Sequence, residues 1–157
     1  MMITKKRWAL LLVFVLCLAA AAVPAGALVP LLHNSVFKVG STTYTVDGVS
    51  RDMEVAPYIS GDRTMLPLRY VGYALGIEEK DIVWDQSAQT ATITSGVRKV
   101  QVRVGSSSIQ INNDVQEMDV PPEVVDGRIM LPLRSVAEAF SASITWDGAT
   151  QTINIHY

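Results

Sequence analysis

The fold is decided by Met65-Leu66-Pro67-Leu68-Arg69, a stretch that returns letter for letter 65 positions later as Met130-Leu131-Pro132-Leu133-Arg134. Residues on both sides of it repeat at the same offset of 65. Beyond it the offset falls to 62, and Trp84-Asp85 then aligns with Trp146-Asp147. Self-similarity at a nearly constant spacing is typical of a duplicated structural unit. A catalytic site is usually built once from scattered residues, so we interpret the repeated letters as packing positions and turns.

Each copy has the pattern of an antiparallel sheet. In the first copy, residues 36–39 and 42–46 are β-rich runs. The Asp47-Gly48 that follows is a preferred two-residue hairpin turn because glycine accepts a positive φ. The second copy has Asn112-Asn113 at that point, and asparagine also tolerates the left-handed region. We therefore predict the same hairpin in both copies.

A short helix begins at the repeated stretch. Pro67 and Pro132 suit the first turn of a helix, where the missing N–H group costs nothing. Leu68, Val71 and Leu75 then follow at the spacing of a buried stripe. With about nine residues, such a helix does not persist alone in water and must pack on the sheet.

Two more strands close the first copy, at residues 82–84 and 90–94, and the second copy has their equivalents. The join at residues 95–99 is short and contains no proline. We therefore expect the copies to pack closely or to share strands, not to move on a flexible tether. The sequence predicts an α+β fold of two tandem repeats, residues 36–95 and 96–157, each an antiparallel β-sheet packed around one short α-helix.

The segment before the repeats has the pattern of a signal peptide. Lys5-Lys6-Arg7 is followed by a charge-free apolar run over residues 8–23 and by the small residues Ala25-Gly26-Ala27. We predict a signal peptide over residues 1–27 and a linker over residues 28–35, with the product secreted or held at the cell surface. The alternative is an uncleaved membrane anchor, since the apolar stretch approaches the roughly 20 residues that span a bilayer. Membrane contact is expected only through this segment, if it is left uncleaved.

Charge and cysteine content exclude several partners and cofactors. The chain has 13 basic and 15 acidic residues, and residues 1–27 hold three of the basic ones and no acid. The remainder has 10 basic and 15 acidic residues and a net charge of −5, which is unfavourable for nucleic-acid binding. The single cysteine of the chain, Cys17, lies in the predicted signal peptide, so we expect no disulfide or thiolate metal site in residues 28–157.

The order of these motifs resembles a known family. A hairpin turn, a proline loop, Met-Leu-Pro-Leu-Arg opening a helix, and then Trp-Asp before a Thr-x-x-Ile strand are similar to the copper amine oxidase N-terminal domain family, over residues 36–157. The resemblance implies a twisted antiparallel sheet wrapped around a helix. It also implies a stalk domain of the kind common in exported proteins of Gram-positive bacteria. Copper and the quinone cofactor belong to a separate, larger catalytic domain in that family, so the resemblance implies no cofactor here.

The residues themselves offer little for catalysis. A copper site of that kind needs clustered histidines, and this chain has only His33 and His156, which we predict to be exposed end residues without a metal. The run Ser106-Ser107-Ser108 lies in a predicted turn and strand start with no partner histidine beside it, which disfavours a nucleophilic triad. A weak hydrolase that uses the carboxylates of Asp85 or Asp147 is the enzymatic alternative.

The repeated charged residues have a structural interpretation. Arg69 and Arg134 come one residue into each helix, and Asp85 and Asp147 end the strand that follows. We predict an Arg–Asp fork in each repeat that fixes the helix against the sheet. Ligand binding by these side chains is the alternative.

The aromatic residues divide into a shared set and an unshared set. Trp84 and Trp146 occur in both copies within a short apolar strand, so we predict that they are core anchors. Tyr70 and Tyr73 occur only in the first copy, on the helix side away from the buried stripe. We predict that these tyrosines form an exposed binding surface for sugar rings or a protein partner; the alternative is that they pack against the second repeat.

Together these observations predict a non-catalytic exported stalk, spacer or cell-surface binding module. Its expected partners are a cell-wall glycan or another surface protein. A glycan-recognition module for peptidoglycan or another polysaccharide is the alternative within binding, and the carboxylate-dependent hydrolase is the alternative from another class.

Overall fold

The computed structural model describes residues 32–157, which contain fourteen β-strands and two α-helices. The predicted signal peptide and the first part of the predicted linker lie outside these residues. Strand β1 begins at Asn34, two residues before the expected start of the first repeat. Strands form half of the described residues and helices about an eighth, which confirms the predicted α+β fold of antiparallel sheets with short helices.

The same order of elements occurs twice. The first half contains β1 (Asn34–Lys38), β2 (Thr43–Val46), β3 (Val49–Asp52), β4 (Tyr58–Ser60), β5 (Arg63–Pro67), α1 (Leu68–Ala74), β6 (Ile82–Asp85) and β7 (Thr90–Ser95). The second half contains β8 (Arg98–Arg103), β9 (Ser108–Ile111), β10 (Asp114–Glu117), β11 (Glu123–Val125), β12 (Arg128–Pro132), α2 (Leu133–Ala139), β13 (Ser143–Asp147) and β14 (Thr152–His156). A short 3-10 helix at Glu79–Asp81 is present in the first half. It lies where the second half is three residues shorter.

Strands of both halves share every sheet of the described part of the chain. The strand order is β13-β14-β1-β2-β3 in the first sheet, β10-β9-β8-β7-β6 in the second sheet and β11-β12-β5-β4 in the central sheet. The last two strands of each half therefore complete the sheet that the first three strands of the other half begin. Of the two arrangements that the sequence allowed, the structure shows shared strands.

Three junctions join the halves. In the central sheet β5 pairs with β12, and Leu66 lies opposite Leu131. In the second sheet β7 turns directly into β8 through Gly96-Val97, with Ser95 opposite Arg98. In the first sheet β1 pairs with β14 over five residues, and the N–H group of His33 donates to the carbonyl oxygen of Tyr157 at 2.6 Å. The two ends of the described chain are therefore neighbours, and the halves interlock.

The turns follow the predicted chemistry. Asp47 and Gly48 have φ angles of 52° and 78° between β2 and β3, and Asn112 has 54° between β9 and β10. Both helices have seven residues, somewhat shorter than predicted. The repeated prolines correct a detail of the prediction: Pro67 and Pro132 end strands β5 and β12 with extended ψ angles and are N-cap residues, so each helix begins one residue later.

The core is one continuous cluster with members from both halves. Its fully buried side chains include Phe37 of β1, Leu66 of β5, Leu131 of β12 and Ile155 of β14. Burying a side chain of this kind stabilises the fold by about 1.5–3 kcal/mol relative to leaving it in water. Because the cluster crosses all three sheets, the halves cannot separate without exposing it.

Candidate functional site

The predicted Arg–Asp forks are not formed, and this prediction was wrong. The Nη2 of Arg69 lies 3.3 Å from the Oε1 of Glu79, and the Nη1 of Arg134 lies 3.8 Å from the Oε1 of Glu138. All four side chains are more than half exposed. Exposed pairs of this kind contribute little to stability, so neither arginine clamps its helix to the sheet.

The two aspartates instead close the turns that follow their strands. The Oδ1 of Asp85 accepts hydrogen bonds from the hydroxyl of Ser87 at 2.7 Å and from the backbone N–H group of the same serine at 2.8 Å. The Oδ2 of Asp147 accepts from the hydroxyl of Thr150 at 2.8 Å. This local geometry satisfies the carboxylates within three residues, which is why they do not reach the helices.

These hydrogen bonds also determine how the two carboxylates ionise. The hydroxyl of Ser87 and two backbone N–H groups hold the pKa of Asp85 below its ordinary value, and the hydroxyl of Thr150 with two backbone N–H groups does the same for Asp147. A general acid in glycoside hydrolysis needs a raised pKa. Both aspartates are therefore suited to a structural role and poorly suited to proton donation.

The two tryptophans lie in different surroundings. Trp84 is half-buried and packs against the core, while its Nε1 donates to the Oε1 of Gln86 at 2.8 Å. Trp146 is 44% exposed. The core-anchor prediction was therefore wrong for Trp146. Both residues lie on edge strands, β6 and β13, so one side of each indole has no neighbouring strand to cover it.

The predicted tyrosine surface is also wrong, because Tyr70 is only 6% exposed. Its ring contacts that of Tyr44 edge to face, with centroids 5.4 Å apart, and its hydroxyl donates to the carboxylate of Glu54. Tyr73 is half-buried, with its ring 5.9 Å from that of Tyr70. The aromatic contacts come from the first half and not from the second repeat. Burial and the hydrogen bond to Glu54 raise the pKa of Tyr70 to about 12.

The histidines fall in two settings. His156 is exposed, as predicted, whereas His33 is half-buried with its Nδ1 2.8 Å from the Oδ2 of Asp47. That contact ties the start of β1 to the first hairpin turn. Within residues 32–157 no group of three or more His, Cys, Asp or Glu side chains is placed to hold a metal ion. No helix in this part of the chain is long and apolar enough to cross a membrane.

Repeated residues from both halves line two equivalent clefts, which is the site that sequence reasoning missed. The first cleft lies between the start of α1, strand β6 and strand β12, and the second lies between the start of α2, strand β13 and strand β5. Seven positions correspond between them: Leu68 and Leu133, Arg69 and Arg134, Ile82 and Ile144, Trp84 and Trp146, Arg128 and Arg63, Gly127 and Asp62, and Ile129 and Thr64. Five of the seven pairs are identical residues, and that repetition is the signal in the sequence that could have indicated the clefts.

A reciprocal pair of ion contacts crosses between the halves beside the clefts. Arg63 of β5 approaches Asp119 of the second half, with Nη2 and Nε at 2.6 Å and 2.7 Å from Oδ2. Arg128 of β12 approaches Glu54 of the first half at 3.8 Å. Asp119 and Glu54 occupy equivalent positions, so each half supplies one acid and one base.

The two clefts differ in volume. The first has a volume of about 260 Å³ and is also lined by Glu54, Tyr70 and Glu79. The second has a volume of about 460 Å³, and its additional lining residues are Ile59 and Ile153. Glu79 belongs to the 3-10 helix that only the first half contains, and Tyr70 is replaced by Ser135 in the second. These extra side chains account for the smaller volume of the first cleft.

The fold and the clefts define a small antiparallel domain made of two interlocked halves. The model of the copper amine oxidase N-terminal domain matches residues 35–155. The chain belongs to that family, whose domain is non-catalytic in the amine oxidases. The single match spans both halves. Comparisons with curated proteins and with solved structures find no match for this chain.

Proposed function

We propose that this chain is a non-catalytic exported stalk that also acts as a binding module at the cell surface. The observation that carries the proposal is the exchange of strands between the halves, which gives a stalk-family domain one interlocked body. We further infer that the halves are tandem copies of one ancestral unit, since their elements follow the same order and their residues repeat at an offset of 65 that falls to 62 after the helix.

Export is supported by the basic, apolar and small-residue order of residues 1–27. The test is expression in a Gram-positive host, followed by N-terminal sequencing of protein recovered from the medium and from the wall fraction. The proposal expects a mature chain that begins at Leu28. Protein that stays in the cytoplasm, or in the membrane with residues 1–27 attached, would contradict it.

The non-catalytic role is supported by the use of Asp85 and Asp147 in turns with lowered pKa values. The test compares the natural protein with the D85N and D147N variants on a panel of glycan and ester substrates. No turnover is expected from any of the three proteins. Turnover by the natural protein that disappears in either variant would establish the hydrolase instead.

A second function, glycan recognition, is favoured by one specific observation. Trp146 is 44% exposed and lines the larger cleft. An exposed indole at the wall of a cleft is a common platform for flat ligands, because its ring buries a large area at a small entropic cost. Retention of the protein on insoluble peptidoglycan, compared with an inert cellulose-free resin, tests this function.

A further inference from the structure

We propose that the second cleft binds an uncharged saccharide, with Trp146 as the stacking platform. The inference rests on the proposed binding role and extends it by assigning the site and the ligand class. The volume of about 460 Å³ lies in the range of small-ligand pockets, roughly 300–1,000 Å³, whereas the 260 Å³ of the first cleft falls below it. The size difference alone favours the second cleft as the ligand site.

The cleft has both an apolar wall and polar groups, and a sugar ring needs both. Trp146, Ile144 and Ile153 share one face of the first sheet and form an apolar wall of the cleft, whereas Ile59 lies opposite Thr64 on the central sheet. A pyranose ring presents a face of C–H groups that packs against an aromatic ring, and the adjacent isoleucines extend that surface. Such packing excludes water from the apolar face of the sugar and needs no charge on the ligand.

The other side supplies both donors and acceptors. Asp62 offers a carboxylate acceptor, Thr64 offers a hydroxyl that donates and accepts, and Arg134 offers guanidinium donors. Sugar hydroxyl groups are donors and acceptors at once, so a rim that carries both kinds of group suits them. The contact of Arg134 with Glu138 is long and exposed, at 3.8 Å, so a ligand can compete with it at little cost.

Charge balance excludes a strongly ionic ligand. Arg63 is already engaged by Asp119, and Arg134 has Glu138 beside it. Asp62 adds a further negative charge to the rim. An anionic polymer would have to displace existing carboxylates, and a cationic ligand would meet two arginines. The cleft is therefore matched to a neutral pyranose glycan.

The test uses the full chain with three probes: the tetramer of N-acetylglucosamine, cellotetraose and insoluble peptidoglycan. Binding of the two soluble tetramers is followed by calorimetry, and binding of peptidoglycan by co-sedimentation. W146A is expected to weaken binding about tenfold or more, whereas W84A in the first cleft serves as the matched control and is expected to leave binding unchanged. Circular dichroism confirms that both variants fold, and T64V provides a rim variant that retains the platform.

Each outcome decides the proposal. Binding of a soluble tetramer that W146A and T64V weaken and W84A does not would support it, and preference between the two tetramers would identify the glycan source. Binding of peptidoglycan that survives W146A, or binding that W84A weakens equally, would overturn it. A protein that is exported and inactive as an enzyme but binds none of the probes would refute this site alone and leave the stalk role standing.

Discussion

Replacing Ile155 by alanine tests whether the interlocked halves unfold as one body. Ile155 lies in β14 with no exposed surface and faces Ser35 of β1 and Ile144 of β13, so it joins strands of both halves. Removing its outer carbons leaves a cavity in the first sheet. Substitutions of this kind cost about 3 kcal/mol, within a range of about 2–5. For a domain of this size, that lowers the melting temperature by roughly 10 °C.

The assay reports on each half separately. Variants that retain only Trp84 or only Trp146 give a fluorescence signal from the first or the second half, and each is melted with and without I155A. We expect a single transition, shifted by the same amount at both reporters, because the first sheet contains strands of both halves. Ile93 is the equivalent residue of the second sheet and is 1% exposed, so I93A should produce a similar shift at both reporters.

The control is V97A in the exposed turn between β7 and β8, which should change stability by less than about 0.5 kcal/mol. Two separate transitions would show that the halves unfold independently. The same holds if I155A shifts the Trp146 reporter and leaves the Trp84 reporter in place, since that is the behaviour of two independent domains.

Three further predictions follow from the contacts around the clefts. A double-mutant cycle with R63M and D119N should give a coupling energy of about 0.5 kcal/mol that disappears in high salt, because both side chains are substantially exposed. A coupling energy above about 2 kcal/mol would contradict this and show that the ion pair holds the two halves together. The lowered pKa values of Asp85 and Asp147 stabilise the folded state above the ordinary value of 3.8, and that contribution is lost as the pH falls through the folded pKa values. D85N should therefore unfold with a weaker acid dependence than the natural protein, measured by circular dichroism between pH 5 and pH 2, and an identical acid profile would contradict the role in the turn. The pKa of Tyr70 is raised from 10.0 to about 12, so the neutral hydroxyl stabilises the folded state below pH 10, and this stabilisation is lost as the pH rises towards 12. Y70F should therefore reduce the loss of stability at alkaline pH. An unchanged midpoint of alkaline unfolding would count against the buried hydroxyl.

Local features of the fold could be predicted from the sequence because they depend on neighbouring residues. The hairpin at Asp47-Gly48 and its equivalent at Asn112-Asn113 follow from which residues tolerate a positive φ, and both are present. The helices follow from the apolar spacing after Pro67 and Pro132, although each proline still belongs to a strand. These elements needed no knowledge of distant parts of the chain.

Pairing between strands could not be predicted in the same way. Alternation identifies β1 and β14 as strands but does not say which strand lies beside which, and the sheets joined partners that are more than a hundred residues apart. Identical residues at repeated positions also lie in different surroundings. Trp146 is exposed where Trp84 is half-buried, and the 3-10 helix at Glu79–Asp81 helps to fill the cleft at which Trp84 lies.

The candidate site was missed for a related reason. Arg63 and Arg128 repeat in the sequence, but each contributes to the cleft of the opposite half, so a search within one repeat separates them from their partners. The expected Arg–Asp forks failed because Asp85 and Asp147 find hydrogen-bond donors within three residues. Hydrogen bonds within each turn therefore replace the predicted contact between the aspartate and the arginine of the helix.

Cross-strand nuclear Overhauser contacts in the full chain test the exchange of strands most directly. We expect contacts between β1 and β14 in one register, with Val36 opposite Asn154 and Phe37 opposite Ile153, and these contacts should persist when labelled protein is diluted with unlabelled protein. Spectra in which β1 contacts only β2 and β14 contacts only β13, each with an unpaired outer edge, would contradict it.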